Sequence, residues 1–121
     1  MAEIKNRMYG DSLFYIDGNE IKDKQYGTTL FYIDSHEVRE KQEYGPVKFY
    51  VDSNEIREGS KYGPIKYYFD GTEVRDNGMY GKVRYYFDGK ELRERGISGN
   101  TVYYIDGALT RDQLYAFIAI I

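Results

Sequence analysis

The stretch Phe14-Tyr15-Ile16-Asp17-Gly18-Asn19-Glu20-Ile21-Lys22 decides the fold, because the chain repeats it with small changes. Its first half returns as Phe31-Tyr32-Ile33-Asp34, Phe49-Tyr50-Val51-Asp52, Tyr67-Tyr68-Phe69-Asp70, Tyr85-Tyr86-Phe87-Asp88 and Tyr103-Tyr104-Ile105-Asp106. Its second half, Glu then an aliphatic residue then Lys or Arg, follows each of the first five aspartates. These aspartates stand 17 residues apart once and 18 apart four times, and a glycine lies seven residues before each. Self-similarity at such a period marks a repeat protein, whose units bury a shared core only by stacking on neighbours.

Within one unit, aromatic and β-branched residues alternate with polar ones on both sides of the aspartate, which reads as two strands. Asp-Gly between them is the hairpin signal of a type I′ turn, which needs positive φ at both central residues. Asp34-Ser35 and Asp52-Ser53 suit that turn less well, so longer loops are expected there. With Asp17 and Gly18 as the central pair, Phe14 should face Ile21 and Tyr15 should face Glu20. One sheet face then carries Phe14, Ile16, Ile21 and their equivalents, and the other carries Tyr15, Glu20, Lys22 and theirs. Pro46 and Pro64 open strands, where proline is tolerated.

The expected fold is therefore mainly β, a single domain over residues 1–121. Six 18-residue hairpin repeats over 9–109 form an antiparallel meander of about 12 strands in a twisted or curled sheet. The last unit departs from the pattern, since Asp106-Gly107 is followed by a segment with Leu114, Phe117, Ile118 and Ile121 at helical spacing. Thr110 and Gln113 make a capping box, so residues 110–121 read as an amphipathic C-terminal capping helix. Such a helix is roughly 16 Å long, against roughly 55 Å for a dozen strands side by side. The sheet should coil partly round the helix. Its two edges and any open apolar face then leave room for a homodimer.

Composition narrows the function. The 20 acidic and 17 basic residues are mixed along the chain, so no basic stripe or acidic tail announces a partner. Aromatic residues at 17% exclude a disordered chain. The absence of cysteine removes disulfides and thiolate chemistry and fits the reducing cytoplasm. Met1 to Arg7 carries both charge signs and no apolar core, unlike a secretory signal. The apolar run Tyr115 to Ile121 is too short to cross a bilayer.

The recurring Asp-x-x-Glu is read as turn chemistry, because a catalytic pair is needed once whereas a turn residue is needed in every hairpin. Calcium loops with their full ligand spacing are absent. His36, the one histidine, sits beside a turn with no second ligand. No cofactor, metal or enzymatic activity is expected. The candidate surface is the ladder of central tyrosines, Tyr15, Tyr32, Tyr50, Tyr68 and Tyr86, with Arg57 and Arg75 interleaved. Leu13 and Leu30 replace the Lys48, Lys66 and Arg84 of later units, so Leu13, Tyr15, Leu30 and Tyr32 form an apolar-aromatic docking patch. Tyrosine and arginine planes also suit stacking on sugars or single-stranded nucleic acid. A Glu two positions before each base cancels the field a phosphate backbone needs.

The segment Gly81-Lys-Val-Arg-Tyr-Tyr-Phe-Asp-Gly-Lys-Glu-Leu-Arg-Glu-Arg-Gly96 resembles MORN-type repeats, especially the bacterial variant, and the likeness extends over residues 9 to 107. The period here is shorter, and the family's Gly-x-Gly and Tyr-x-Gly-x-Trp elements are missing. The resemblance implies an elongated, twisted sheet of hairpins used for protein or lipid contact. The expected function is non-enzymatic binding of a protein partner, as a small inhibitor or adaptor such as a phage or bacterial protein blocking an enzyme or nucleoprotein. A tyrosine-ladder module for carbohydrate or single-stranded nucleic acid is the alternative.

Overall fold

A computed structural model describes residues Met1–Ile121. In chain order the strands are β1 (Ala2–Lys5), β2 (Ser12–Asp17), β3 (Glu20–Lys22), β4 (Thr29–Asp34), β5 (Glu37–Glu40) and β6 (Val47–Asp52). They continue as β7 (Glu55–Glu58), β8 (Ile65–Phe69), β9 (Glu73–Asp76), β10 (Val83–Phe87), β11 (Glu91–Glu94) and β12 (Thr101–Gly107), followed by helix α1 (Arg111–Ile120). Each strand pairs antiparallel with its neighbours in sequence, and β1 also pairs with β12. The meander is thus a closed barrel, which corrects the expectation of a curled open sheet and the elongated sheet implied by the resemblance. Closure leaves no edge strand, so the edge-pairing route to a homodimer disappears. No helix is long and apolar enough to cross a membrane.

The closing stave is Glu3-Ile4-Lys5, the same triplet as Glu20-Ile21-Lys22. Glu3 lies opposite Asp106, Ile4 opposite Ile105 and Lys5 opposite Tyr104. The first hairpin has the same register, with Glu20 opposite Asp17, Ile21 opposite Ile16 and Lys22 opposite Tyr15. Five hairpins are continuous, and the sixth is split, with its second strand supplied by β1. Lys5 Nζ fastens this seam to Asp106 at 3.1 Å. That hydrogen bond raises the ammonium's pKa against the opposing pull of burial.

The turns lie one residue further along than expected, which shifts the strand pairing by two. Ile16 faces Ile21 and Asp17 faces Glu20, so the central residues are Gly18 and Asn19 rather than Asp17 and Gly18. The Asp34 and Asp52 turns have the same length, with Asp34 opposite Glu37 and Asp52 opposite Glu55, and are not longer loops. Positive φ occurs at the first central residue and not the second, as at Gly18 (59°), Ser35 (51°) and Ser53 (57°), unlike a type I′ turn. The aspartates do serve the turns. Asp70 Oδ1 accepts from the Thr72 and Glu73 amides at 2.9 and 2.8 Å, and Asp88 Oδ1 from the Lys90 and Glu91 amides at 3.0 and 2.7 Å. Because the shift is by two, the division into faces survives. The Tyr–Glu pairing moves to the neighbouring unit, with Glu20 opposite Tyr32 and Glu37 opposite Tyr50.

Closure follows from a bulge in every unit. On β4, Thr29 faces Lys22 and Phe31 faces Ile21, so Leu30 is an extra residue. Leu13, Lys48, Lys66, Arg84 and Val102 occupy the equivalent position. A bulge bends its strand and increases the local twist, and repeated round a sheet it curls the sheet on itself. The bulged carbonyls of Leu30, Lys48, Lys66 and Arg84 are then held by the amides of Lys41, Gly59, Asn77 and Arg95, at 2.8 to 3.2 Å. All four donors have positive φ.

The glycine seven residues before each aspartate has a steric cause. A Cβ at Gly63 would lie 1.7 Å from the Glu58 carbonyl oxygen, and one at Gly45, Gly81 or Gly99 would meet the corresponding carbonyl within 2.0 Å. Side-chain bonds pin the same loops from the outer wall. Arg39, Arg57 and Arg75 each donate to the carbonyl of Gly45, Gly63 or Gly81 at 2.9 to 3.0 Å, while pairing with Glu37, Glu55 or Glu73.

Helix α1 fills the lumen, so the sheet closes fully round it where partial coiling was expected. Thr110 forms the capping box with Gln113. Gln113 Nε2 reaches the Gly18 carbonyl and Arg111 reaches that of Ser53, which sets the helix N-terminus at the hairpin-turn end. Lys66 donates to the Ala119 carbonyl at 2.8 Å, tying the helix C-terminus near the opposite end. Phe117 is fully buried between Phe14 and Tyr103, with ring centroids 6.4 and 5.3 Å away. Tyr115 packs on Phe69 and donates its hydroxyl to the Phe69 carbonyl at 3.0 Å. Buried Ile4, Ile16, Ile21, Val38, Ile56, Val74 and Leu92 line the surrounding wall.

Two outcomes are expected. Gly63→Ala should cost about 2 kcal/mol or more in urea unfolding, whereas Gly96→Ala, where a Cβ meets nothing within 4 Å, should stay within about 0.5 kcal/mol. Equal effects would remove the steric account of the repeated glycine. Burial pushes the Tyr67 phenol up to about 12. Its folded pKa lies above the unfolded value, so the stability it contributes is intact below about pH 10 and is lost as pH rises towards 12. Tyr67→Phe should therefore flatten the fall in urea midpoint over that window.

Candidate functional site

The barrel has two unlike ends. All the hairpin turns, with their aspartates, lie at one, and all the loops joining one hairpin to the next lie at the other. In five of these loops a tyrosine stands just before the close-packed glycine: Tyr9, Tyr26, Tyr44, Tyr62 and Tyr80. They are 84–92% exposed, far more than any tyrosine on the wall. The sixth loop has Ser98 at that place, beside Ile97, which is 65% exposed. Met8 and Met79 are half-exposed next to Tyr9 and Tyr80. Of the large apolar side chains left exposed, only Met1 belongs to the turn end, and Leu13 lies on a bulge next to the loop end. Successive loops are two strands apart, so neighbouring tyrosines rise from bases roughly 10 Å apart around the rim.

Three of the loops present these rings from a fixed base. In the Tyr44, Tyr62 and Tyr80 loops the glycine packs on a carbonyl, the wall arginine holds the glycine's own carbonyl, and the positive-φ residue holds a bulge, whereas Gly10 and Gly27 lie against the Asn6 and Asp23 side chains. Sequence reasoning used the Tyr-Gly pairs only to return the chain. Their signal was the recurrence of a large aromatic residue in a turn, where small polar residues suffice.

The wall residues expected to bind are placed differently. Tyr15 is buried, with its hydroxyl 2.6 Å from Met1 Sδ, and burial raises its pKa. Tyr32, Tyr50, Tyr68 and Tyr86 are half-buried, each between the arginine of its own hairpin and the glutamate of the preceding unit. Tyr32 and Tyr68 hydroxyls accept from Asn19 and Asn54 at 3.3 Å, and Tyr50 lies against the His36 ring. Arg57 and Arg75 are engaged by Glu55 and Glu73 at 2.9 and 2.7 Å. Leu13 is 38% exposed and Leu30 half-buried, and both are the extra residues of bulges. The structure thus sets the tyrosines of the predicted patch into the wall.

No group of three or more acidic or histidine side chains is placed to hold a metal ion. An apolar crevice of about 320 Å³ beside the start of α1 is lined by Phe87, Ile105, Leu109 and Leu114, with Lys90 as its one titratable group. A single ammonium without a partner acid, base or nucleophile does not make a reaction site. His36 is an exposed turn residue whose Nδ1 lies 3.1 Å from the Val51 carbonyl. No protein-family model, curated protein or solved structure matches this chain.

Proposed function

We propose that this chain works by binding another protein at the loop end of the barrel, without catalysis, as a small inhibitor or adaptor. The observation that carries this reading is the set of five tyrosines, 84–92% exposed, at equivalent positions of successive loops. Tyrosine offers a large, rigid, amphipathic contact at low conformational cost, and polar side chains such as Gln25, Gln42, Ser60 and Asn77 in the same loops supply hydrogen bonding around it. Loop charges are mixed, with Asp23 beside Lys24, Glu40 beside Lys41 and Glu94 beside Arg95. Such a surface suits a protein face better than a phosphate backbone, which needs an unbroken positive field. The wall arginines are no substitute, since Glu37, Glu55 and Glu73 neutralise them at 2.6 to 2.9 Å.

The test is affinity capture from the native lysate with the intact chain, compared with Tyr26→Ser/Tyr62→Ser and Leu13→Asp/Leu30→Asp. A partner held by the wild-type chain should be lost from the tyrosine variant at unchanged circular dichroism and melting temperature. Retention of every captured protein by the tyrosine variant would remove the proposal. Capture that falls steeply with salt would point to nucleic acid instead.

A further inference from the structure

Resting on the reading of the loop end as a protein-binding face, we propose that two copies of this chain close rim to rim through that face when no other partner occupies it. Five tyrosines at 84–92% exposure offer on the order of 900 Å² of side-chain surface. A standard interface takes about 800 Å² from each partner. The rim therefore offers, in separate rings, about as much aromatic surface as one side of a stable dimer buries.

Charge permits the second copy. The chain as a whole is at −3, yet loops 6–11, 23–28 and 41–46 each hold an acid and a base, and each of the other three holds a base with Glu58, Asp76 or Glu94 at the end of the strand leading into it, so no single-sign field opposes one rim against another. The aspartates of the hairpin turns all lie at the far end of the barrel, away from the contact. Geometry permits it too. Tyrosines spaced roughly 10 Å apart leave gaps into which the rings of a facing copy can enter as offset or edge-on pairs. The same contact covers Met8, Met79 and Ile97, which protrude from the same loops. The dimer would hold the binding face in reserve, and a heterologous partner would compete with the second copy for it.

The chain has no cysteine, so one introduced thiol reports its own surroundings. Sedimentation equilibrium of the wild-type chain from about 1 μM to about 1 mM should show a monomer–dimer transition, with the midpoint raised at least ~10-fold in Tyr26→Ser/Tyr62→Ser. Under mild oxidation Tyr62→Cys should form interchain disulfide several-fold faster than Asp52→Cys at the opposite end. The substituted tyrosines are exposed, so circular dichroism should match the wild type in each variant. A chain that stays monomeric throughout, or that cross-links equally at both ends, overturns the dimer. If the tyrosine variant nevertheless loses a captured partner, the protein-binding reading stands without it. If that variant loses neither partner nor second copy, both fall.

Discussion

A closed sheet of twelve strands encloses more space than its own inward side chains can fill, and the rest of the architecture answers that constraint. Eight strands make a barrel that side chains just occupy, whereas wider barrels hold a ligand, a channel or a plug. Here the plug is α1. Its Phe117 touches Phe14 and Tyr103 on either side of the β1 seam, while Tyr115 crosses to Phe69 on β8. Because the chain must leave β12 at Gly107 to enter the lumen, it cannot also turn back to form the second strand of a sixth hairpin. That place beside β12 falls to Glu3-Ile4-Lys5. The plug and the split hairpin are two sides of one requirement.

The same repeat that closes the barrel also makes one end of it rigid. Every unit contributes a bulge, and the loops of Gly45, Gly63 and Gly81 add a glycine pressed against a carbonyl and an arginine reaching over the loop. None of these is strong alone, and the exposed ion pairs on the wall contribute little to stability individually. Together they fix the loop backbone while leaving the tyrosine ring unsupported in solvent. Ordering these side chains on a partner therefore costs ring rotation rather than loop folding, which favours affinity.

Hairpins, sheet faces and the C-terminal helix were legible in the sequence because period-2 alternation and a capping box are local signals. Strand pairing was misplaced by two residues because Asp-Gly was read as the turn itself. Asp17 instead ends its strand opposite Glu20, and Asp70 and Asp88 brace the turn from just outside its central pair. Bulges were invisible, since Leu30 or Lys66 at a bulge looks like any alternating residue until its partner strand is known. Closure was hidden for a plainer reason: Glu3-Ile4-Lys5 matches the second-strand triplet, but no turn precedes it to mark it as half a hairpin. The candidate site moved for a related cause. Burial of Tyr15 and exposure of Tyr62 depend on which residues the closed wall and its clamps surround, and alternation does not encode that.

The split hairpin also bears on the order in which the barrel is made. All other strand pairings join segments that follow one another, so they can form as the chain emerges from synthesis. The seam cannot, since Ile4 has to wait for Ile105. Until then the growing wall remains an open sheet with two live edges and an uncovered apolar face, the species most prone to aggregate. This one long-range pairing raises the contact order of an otherwise local topology and is the natural slow step. Vulnerability is therefore concentrated in time, in the interval between appearance of the first stave and arrival of the last with its helix.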